Sequence, residues 1–278
     1  MNQNRAQRRS ISQVFADHKT RGEIGLVPFI PAGYPDLPTT AALLPALEKA
    51  GSTVVEIGFP FSDPIADGPI IQEAFVDALA RKVKIAQVFG TVAGARDQLS
   101  LPWVAMLSYS IVFRYGVERF VKEARSAGFD GLILPDLPPP EAQRICGIVR
   151  DAGLDTILLV APTTTAQRRE EIVRLCSGFV YYLSVSGITG ERDQLPADLA
   201  QNVRQLKNMT DLPVCVGFGI SQPRHVAQLA SVADGAIVGT AIVRRIKAHG
   251  REGPERIADA VGTYIQELLG EYKQSKHL

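Results

Sequence analysis

The sequence predicts a single (β/α)8 TIM barrel over residues 1–278, with an extra N-terminal helix and an inserted helix after strand 2. Three observations carry this. Eight short segments are apolar throughout instead of alternating, the pattern of parallel strands buried on both faces. Helical stretches separate them at the spacing of βα units. Finally, Lys49-Ala50-Gly51, Ser126-Ala127-Gly128 and Asp151-Ala152-Gly153 each close a helix a few residues before a strand, glycine being tolerant of the left-handed backbone past a helix end. An open doubly wound sheet is the competing arrangement. No Gly-x-Gly-x-x-Gly follows the first strand, which argues against a dinucleotide site there.

In chain order, residues 10–20 form an amphipathic helix with Ile11, Val14 and Phe15 on one face, and strand one follows at Leu26–Pro31. Helix Thr39–Lys49 leads to strand two, Thr53–Ile57, which is β-branched and apolar except for Glu56. Helices at Ile71–Arg81 and Ile85–Gln98 precede strand three at Trp103–Leu107. Helix Val117–Ser126, strand Gly131–Leu134, helix Glu141–Asp151 and strand Thr156–Val160 continue the alternation. Helix Ala166–Leu175, strand Phe179–Leu183, helix Ala197–Lys207 and strand Val214–Gly217 come next. Helix Arg224–Ala230, strand Gly235–Val238 and C-terminal helices reaching Tyr272 complete the pattern.

Composition narrows the class. Thirty basic against twenty-nine acidic residues give a net charge of +1, which disfavours a dedicated nucleic-acid binder. Cys146, Cys176 and Cys215 have neither metal-type nor redox spacing and read as small core residues. No apolar run is long enough to span a bilayer, and no signal-like core follows the arginines at 5, 8 and 9. Together these predict a soluble, cytoplasmic protein.

The active site of such a barrel lies at the C-terminal ends of its strands, so the residues found there are the candidates. Strand two carries Glu56, a carboxylate costly to desolvate unless it is paired, neutralised or used. The loop after it, stiffened by Pro60, Pro64 and Pro69, presents Asp63 and Asp67. Asp63 reads simply as a turn-capping residue. Gly217-x-Gly219 after strand seven and Gly239-Thr240 after strand eight, together with Gly190 after strand six, predict a cradle of backbone N–H groups for a phosphate. Phe29, Tyr181 and Phe218 are candidate aromatic walls. The four histidines are read as surface or helix residues, none at a strand end, and the strands hold no lysine. What remains is carboxylate acid/base chemistry on a phosphorylated substrate. The polar stretch from Gly190 to Leu195 reads as a closing lid.

These residues, taken together, resemble the tryptophan synthase alpha chain family. The stretches that carry the resemblance are Pro28-Phe29-Ile-Pro-Ala-Gly-Tyr-Pro35, Glu56-Ile-Gly-Phe-Pro-Phe-Ser-Asp-Pro-Ile-Ala-Asp-Gly-Pro69, Pro135-Asp-Leu-Pro138, Ala161-Pro-Thr163, Ser184-Val-Ser-Gly-Ile-Thr-Gly190, Gly217-Phe-Gly-Ile220 and Val238-Gly-Thr-Ala241. The resemblance implies a barrel that cleaves indole-3-glycerol phosphate to indole and glyceraldehyde 3-phosphate without metal or organic cofactor. It implies a pyridoxal-phosphate β subunit as partner in an α2β2 heterotetramer. It assigns Glu56 and Asp67 as the catalytic carboxylates. Phe29, Ile71, Tyr181 and Phe218 would enclose the indole, Gly190, Gly219, Gly239 and Thr240 would hold the phosphate, and Thr189 lies in a loop that closes over the site. Where the family commonly has Met-x-Tyr-x-Asn-Pro after strand three, this chain has Met106-Leu-Ser108-Tyr-Ser110-Ile111. Ser108 therefore alters one wall of the indole pocket, and Ser110 falls in a region the family uses to contact the β subunit. The alternative readings are a stand-alone lyase releasing free indole and a non-catalytic homologue that only binds a ligand.

Overall fold

A computed structural model describes residues 8–63, 67–184, 196–217 and 219–275. It begins with α1 (Ile11–Thr20), β1 (Gly25–Pro31), α2 (Leu37–Lys49), β2 (Val55–Gly58), α3 (Pro69–Ala80) and α4 (Ile85–Arg96). Next come β3 (Trp103–Met106), α5 (Tyr109–Tyr115), α6 (Val117–Ala127), β4 (Gly131–Ile133), α7 (Pro139–Asp151), β5 (Asp155–Ile157) and β6 (Leu159–Val160). The chain continues with α8 (Ala166–Leu175), β7 (Val180–Leu183), α9 (Leu199–Lys207), β8 (Val214–Gly217) and α10 (Pro223–Leu229). It ends with β9 (Gly235–Val238), α11 (Thr240–Ala248) and α12 (Pro254–Ser275). All strand pairs are parallel, in the order β5-β4-β3-β2-β1-β9-β8-β7-β6.

The eight expected barrel strands are present, with the fifth divided. β5 and β6 are consecutive pieces of one extended segment that parts at Leu158. β5 bonds to β4 and β6 to β7, so this single segment brings the two ends of the sheet together. The Leu158 carbonyl accepts the Tyr181 N–H at 3.1 Å, and the Thr156 carbonyl accepts the Ser177 N–H at 2.7 Å.

Period-two alternation divides the strand side chains into two cores. Val27, Val54, Val104, Ile133, Ile157, Phe179, Cys215 and Ile237 fill the barrel interior. Leu26, Ile30, Val55, Ile57, Ala105, Leu132, Tyr182 and Val216 point outward and pack against the helices. The N-terminal helix belongs to the inner core. Its Ser10 cap forms a reciprocal capping box with Gln13, and Ile11, Val14 and Phe15 seal the N-terminal end of the barrel. The Phe15 and Phe179 rings stand 6.0 Å apart. Gly25 and Gly235 make room for Phe15: a Cβ on either would come within 2.9 and 3.2 Å of its ring.

Helix ends follow local chemistry. The three Ala-Gly stops hold glycine at positive φ, 94° at Gly51, 103° at Gly128 and 74° at Gly153. α2, α3, α7 and α10 start one or two residues earlier than the apolar periodicity predicts, α4, α6 and α8 start where it predicts, and α9 starts two residues later. Asp36 accepts the Thr39 N–H ahead of Leu37-Pro38, and Pro69 and Pro139 occupy first-turn positions of α3 and α7. α5 has no counterpart among the helices that the apolar periodicity predicts. His225, on α10, is fully buried and its Nδ1 accepts the Ser221 N–H at 3.3 Å. All three cysteines are free, Cys146 and Cys215 buried and Cys176 partly so. Among the described residues no helix is long and apolar enough to cross a membrane.

If α1 is the floor of the barrel, Phe15→Ala leaves a void between Val27, Phe179 and Ile237 that the rigid strands cannot fill. The expected cost is about 3–5 kcal/mol, read from the urea midpoint at unchanged m-value. A loss below ~1 kcal/mol would show that the helix only rests on the barrel.

Candidate active site

At the opposite end the inward-facing residues leave a cavity of about 430 Å³. Gly219 and Gly239 line part of it, and glycine elsewhere at this end lets two aromatic rings form its walls. Gly58 and Gly217 are places where no side chain fits: a Cβ on Gly58 would lie 2.5 Å from the Phe29 ring, and one on Gly217 2.5 Å from the Tyr181 hydroxyl. Phe29 meets Phe75 of α3 edge-on at 6.3 Å and forms one wall. Tyr181 forms another.

Strand register places Glu56 between these walls. It pairs with Phe29 of β1 on one side and Val104 of β3 on the other, two residues beyond inward-facing Val54. The side chain is 1% exposed and lines the cavity. Its Oε1 has no hydrogen-bond partner among the described residues. Burial disfavours the anion and pushes the carboxyl well above the ordinary carboxylate range. A buried acid without a structural partner is the anomaly of this fold, and such groups concentrate where chemistry is done.

Asp67 reaches the same cavity from the loop after β2. It immediately precedes Gly68, the N-cap of α3, and its carbonyl accepts the Gln72 Nε2–H at 2.8 Å. Burial pushes its carboxyl up to about 6. Asp63 also lines the cavity, exposed and accepting the Ser62 hydroxyl at 2.7 Å. Ile71, on the first turn of α3, completes this side. Tyr181 is buried, and loss of solvent, then Glu56 and Asp67, raise its hydroxyl far above the ordinary tyrosine range, so it is a neutral donor here.

Across the cavity, Gly219 has φ +84°, a backbone conformation that side chains rarely adopt. Gly239 is the N-cap of α11 and Thr240 its first residue, with no side chain capping that end. The first N–H groups and positive dipole end of α11 therefore face the cavity, as an anion site requires. Of the sequence-predicted residues, Phe29, Glu56, Asp67, Ile71, Tyr181, Gly219, Gly239 and Thr240 line this one cavity. Thr189, Gly190 and Phe218 lie outside the described residues, as does the whole stretch read as a lid.

Ser108, expected in one wall of the pocket, is joined there by Asp136, which is not among the sequence-predicted site residues. Ser108 donates to Asp136 Oδ2 at 2.6 Å, the Tyr109 N–H donates to Asp136 Oδ1 at 2.7 Å, and the Ser108 and Ser110 hydroxyls are 2.8 Å apart. The available signal was Pro135-Asp136 at a strand end. The pairing across 28 residues is not visible locally.

Fold and site define a (β/α)8 barrel in which two carboxyls raised in pKa by burial and the N-terminus of α11 line one cavity at the C-terminal ends of the strands. The family model for the tryptophan synthase alpha chain matches residues 15–272. The tryptophan synthase alpha chain of Carboxydothermus hydrogenoformans is 42% identical over 260 residues, covering 93% of this chain and 97% of that protein. That of Rhodopirellula baltica is 43% identical over 260 residues, covering 92% and 94%. Among solved structures, the tryptophan synthase A-subunit of Pyrococcus furiosus superposes with a TM-score of 0.82 at 36% identity, covering 88% of this chain and 98% of that one. The chain belongs to the tryptophan synthase alpha chain family, a lyase family of tryptophan biosynthesis.

The raised pKa of Glu56 sets how stability depends on pH. Below the ordinary value of 4.5 both folded and unfolded chains hold the proton. Above it the unfolded chain ionises and the folded one resists, so the wild type loses stability as pH rises towards the folded pKa. Glutamine cannot ionise. The stability difference between Glu56→Gln and wild type should therefore grow in the mutant's favour from pH 4 upward, measured by urea titration at intervals to pH 8. A difference independent of pH would mean that Glu56 ionises normally in the folded chain.

Proposed function

We propose that the cavity cleaves indole-3-glycerol phosphate into indole and glyceraldehyde 3-phosphate, with Glu56 and Asp67 as its acid/base pair. The observation that carries this reading is the unpartnered, buried Glu56 carboxyl facing an apolar slot whose far side is an anion cradle. The phosphate would sit on the N–H groups at Gly219, Gly239 and Thr240, with Gly190 closing that site. The indole would lie between Phe29, Ile71, Tyr181 and Phe218, and Thr189 would help close the loop above.

The reaction needs proton movement alone. A proton delivered to indole C3 makes the ring an electron sink, and the bond from C3 to the glycerol carbon breaks as the adjacent hydroxyl loses its proton and becomes the aldehyde. Glu56, held protonated by burial, suits the delivery, and its carboxylate can then take the hydroxyl proton, leaving the enzyme unchanged. Asp67, ionised above about 6, suits stabilisation of positive charge at the ring nitrogen. Two carboxyls with separated pKa values can divide acid and base roles.

The proposed partner is the pyridoxal-phosphate β chain, in an α2β2 heterotetramer in the cytoplasm. Support comes from the rim of the cavity, where α5 leaves Phe113 64% exposed with its ring 6.0 Å from that of Tyr109. A large apolar side chain beside a cavity mouth suits a docking surface better than solvent.

Glu56→Gln should lower kcat for indole release by about 10²–10⁴-fold with little change in KM. Asp67→Asn should remove the rise in rate that wild type shows as pH passes through about 6. Rapid-quench measurement of indole release across pH 5–9 covers both. A fully active Glu56→Gln protein ends this mechanism. Phe113→Glu should weaken association with a tryptophan synthase β chain about tenfold or more while the isolated chain cleaves substrate as before. Sedimentation velocity reads the first and the cleavage assay the second; unaltered association would move the interface away from α5.

A further inference from the structure

The polar cluster of Ser108, Ser110 and Asp136 occupies a particular place in the ring of strands. Counting the divided fifth strand once, β3 lies directly across the barrel from β8, and β4 from β9. Ser108 follows β3 and Asp136 follows β4, while Gly219 follows β8 and Gly239 follows β9. A ligand anchored by its phosphate on the glycine side, with its ring beside Glu56, therefore directs its distal edge at Ser108 and Asp136. For the substrate proposed above, that edge is the benzo ring of the indole.

The lining around this cluster is apolar, with Met106, Leu107, Pro135 and Leu159 as its neighbours on the cavity wall. The cluster itself is internally satisfied. Asp136 accepts the Ser108 hydroxyl on one oxygen and the Tyr109 N–H on the other, and the Ser110 N–H is directed at Ser108 Oγ at 3.2 Å. An unsubstituted benzo ring thus strands no buried donor. A carboxylate has about four acceptor positions and two are used here, so Asp136 has capacity for another donor. The short side chain at 108 keeps it within reach of the cavity.

We propose that Asp136, positioned by Ser108 and the Tyr109 N–H, is a specificity-determining residue. It admits indole glycerol phosphates that carry a hydrogen-bond donor, hydroxyl or amino, on the benzo ring. This rests on the reading of the reaction given above.

The test is calorimetric binding of five non-cleavable indole-3-propanol phosphates: the parent, its 5- and 6-hydroxy derivatives, and the 5- and 6-methyl derivatives of similar size. At one of the two positions the hydroxy compound should bind at least about tenfold tighter than its methyl counterpart, the range for a hydrogen bond to a charged group. Asp136→Ala should bring that ratio close to one. Asp136→Asn keeps an acceptor for the Tyr109 N–H and should lower the ratio at least about threefold, which decides the matter if the alanine protein does not fold. Equal hydroxy and methyl affinities at both positions in the wild type, or an unchanged ratio in the folded variants, would overturn the specificity site while the parent still binds. Failure of all five to bind would overturn this proposal and the reading of the reaction together.

Discussion

An eight-stranded parallel barrel has an interior that its own side chains must fill, and the position at which they stop filling it determines everything else in this molecule. Towards the N-terminal ends of the strands the filling is complete, with valine, isoleucine and phenylalanine from the strands meeting the apolar face of α1. Towards the C-terminal ends it is incomplete: the rings of Phe29 and Tyr181 take the space over Gly58 and Gly217, while Gly219 and Gly239 line the cavity and contribute no bulk. The space they leave is held open by the same hydrogen-bonded strands that are packed tight below. A cavity with rigid walls costs stability that a collapsible one would not, so it persists only because the barrel cannot relax into it.

The electrostatics follow from that geometry. Glu56 and Asp67 are shifted in the same direction by the same cause, loss of water, but to different degrees. Glu56 sits on a strand inside the barrel and cannot move towards solvent. Asp67 sits on a loop at the mouth and its carboxyl stays within reach of neutral pH. Strand against loop thus sets how far each carboxyl is removed from water, with loss of solvent as the cause at both.

Much of the barrel was legible because its signals are local. Unbroken apolar strands, Ala-Gly helix stops and glycines before helix starts each act over a few residues, and Glu56 stood out as the single charge in an apolar strand. What was missed is non-local. α5 is a short helix capped by Ser108, whose hydroxyl and the Tyr109 N–H are held in turn by Asp136 in the loop after the next strand, and it buries Tyr109 and Val112 while leaving Phe113 outside. No periodicity over seven residues reveals a brace supplied from elsewhere. The division of the fifth strand is likewise a matter of closure, since one segment must serve two neighbours. Thr53 reads as strand by β-propensity, yet its hydroxyl is committed to the Leu26 N–H and to His18, and the strand begins after it. Thr189 rests on the resemblance, and Gly190 and Phe218 on the sequence pattern as well as the resemblance.

The N-terminal helix has a consequence for traffic through the molecule. A barrel stoppered at its base is a vessel open at its other end. Whatever enters at the strands' C-terminal ends must leave by the same route, so each departure precedes the next arrival. An apolar fragment released inside meets, on its way out, either bulk water or the surface of whichever chain is seated over the mouth. The floor laid by Ile11, Val14 and Phe15 thereby gives a neighbour at the rim first contact with every molecule that leaves.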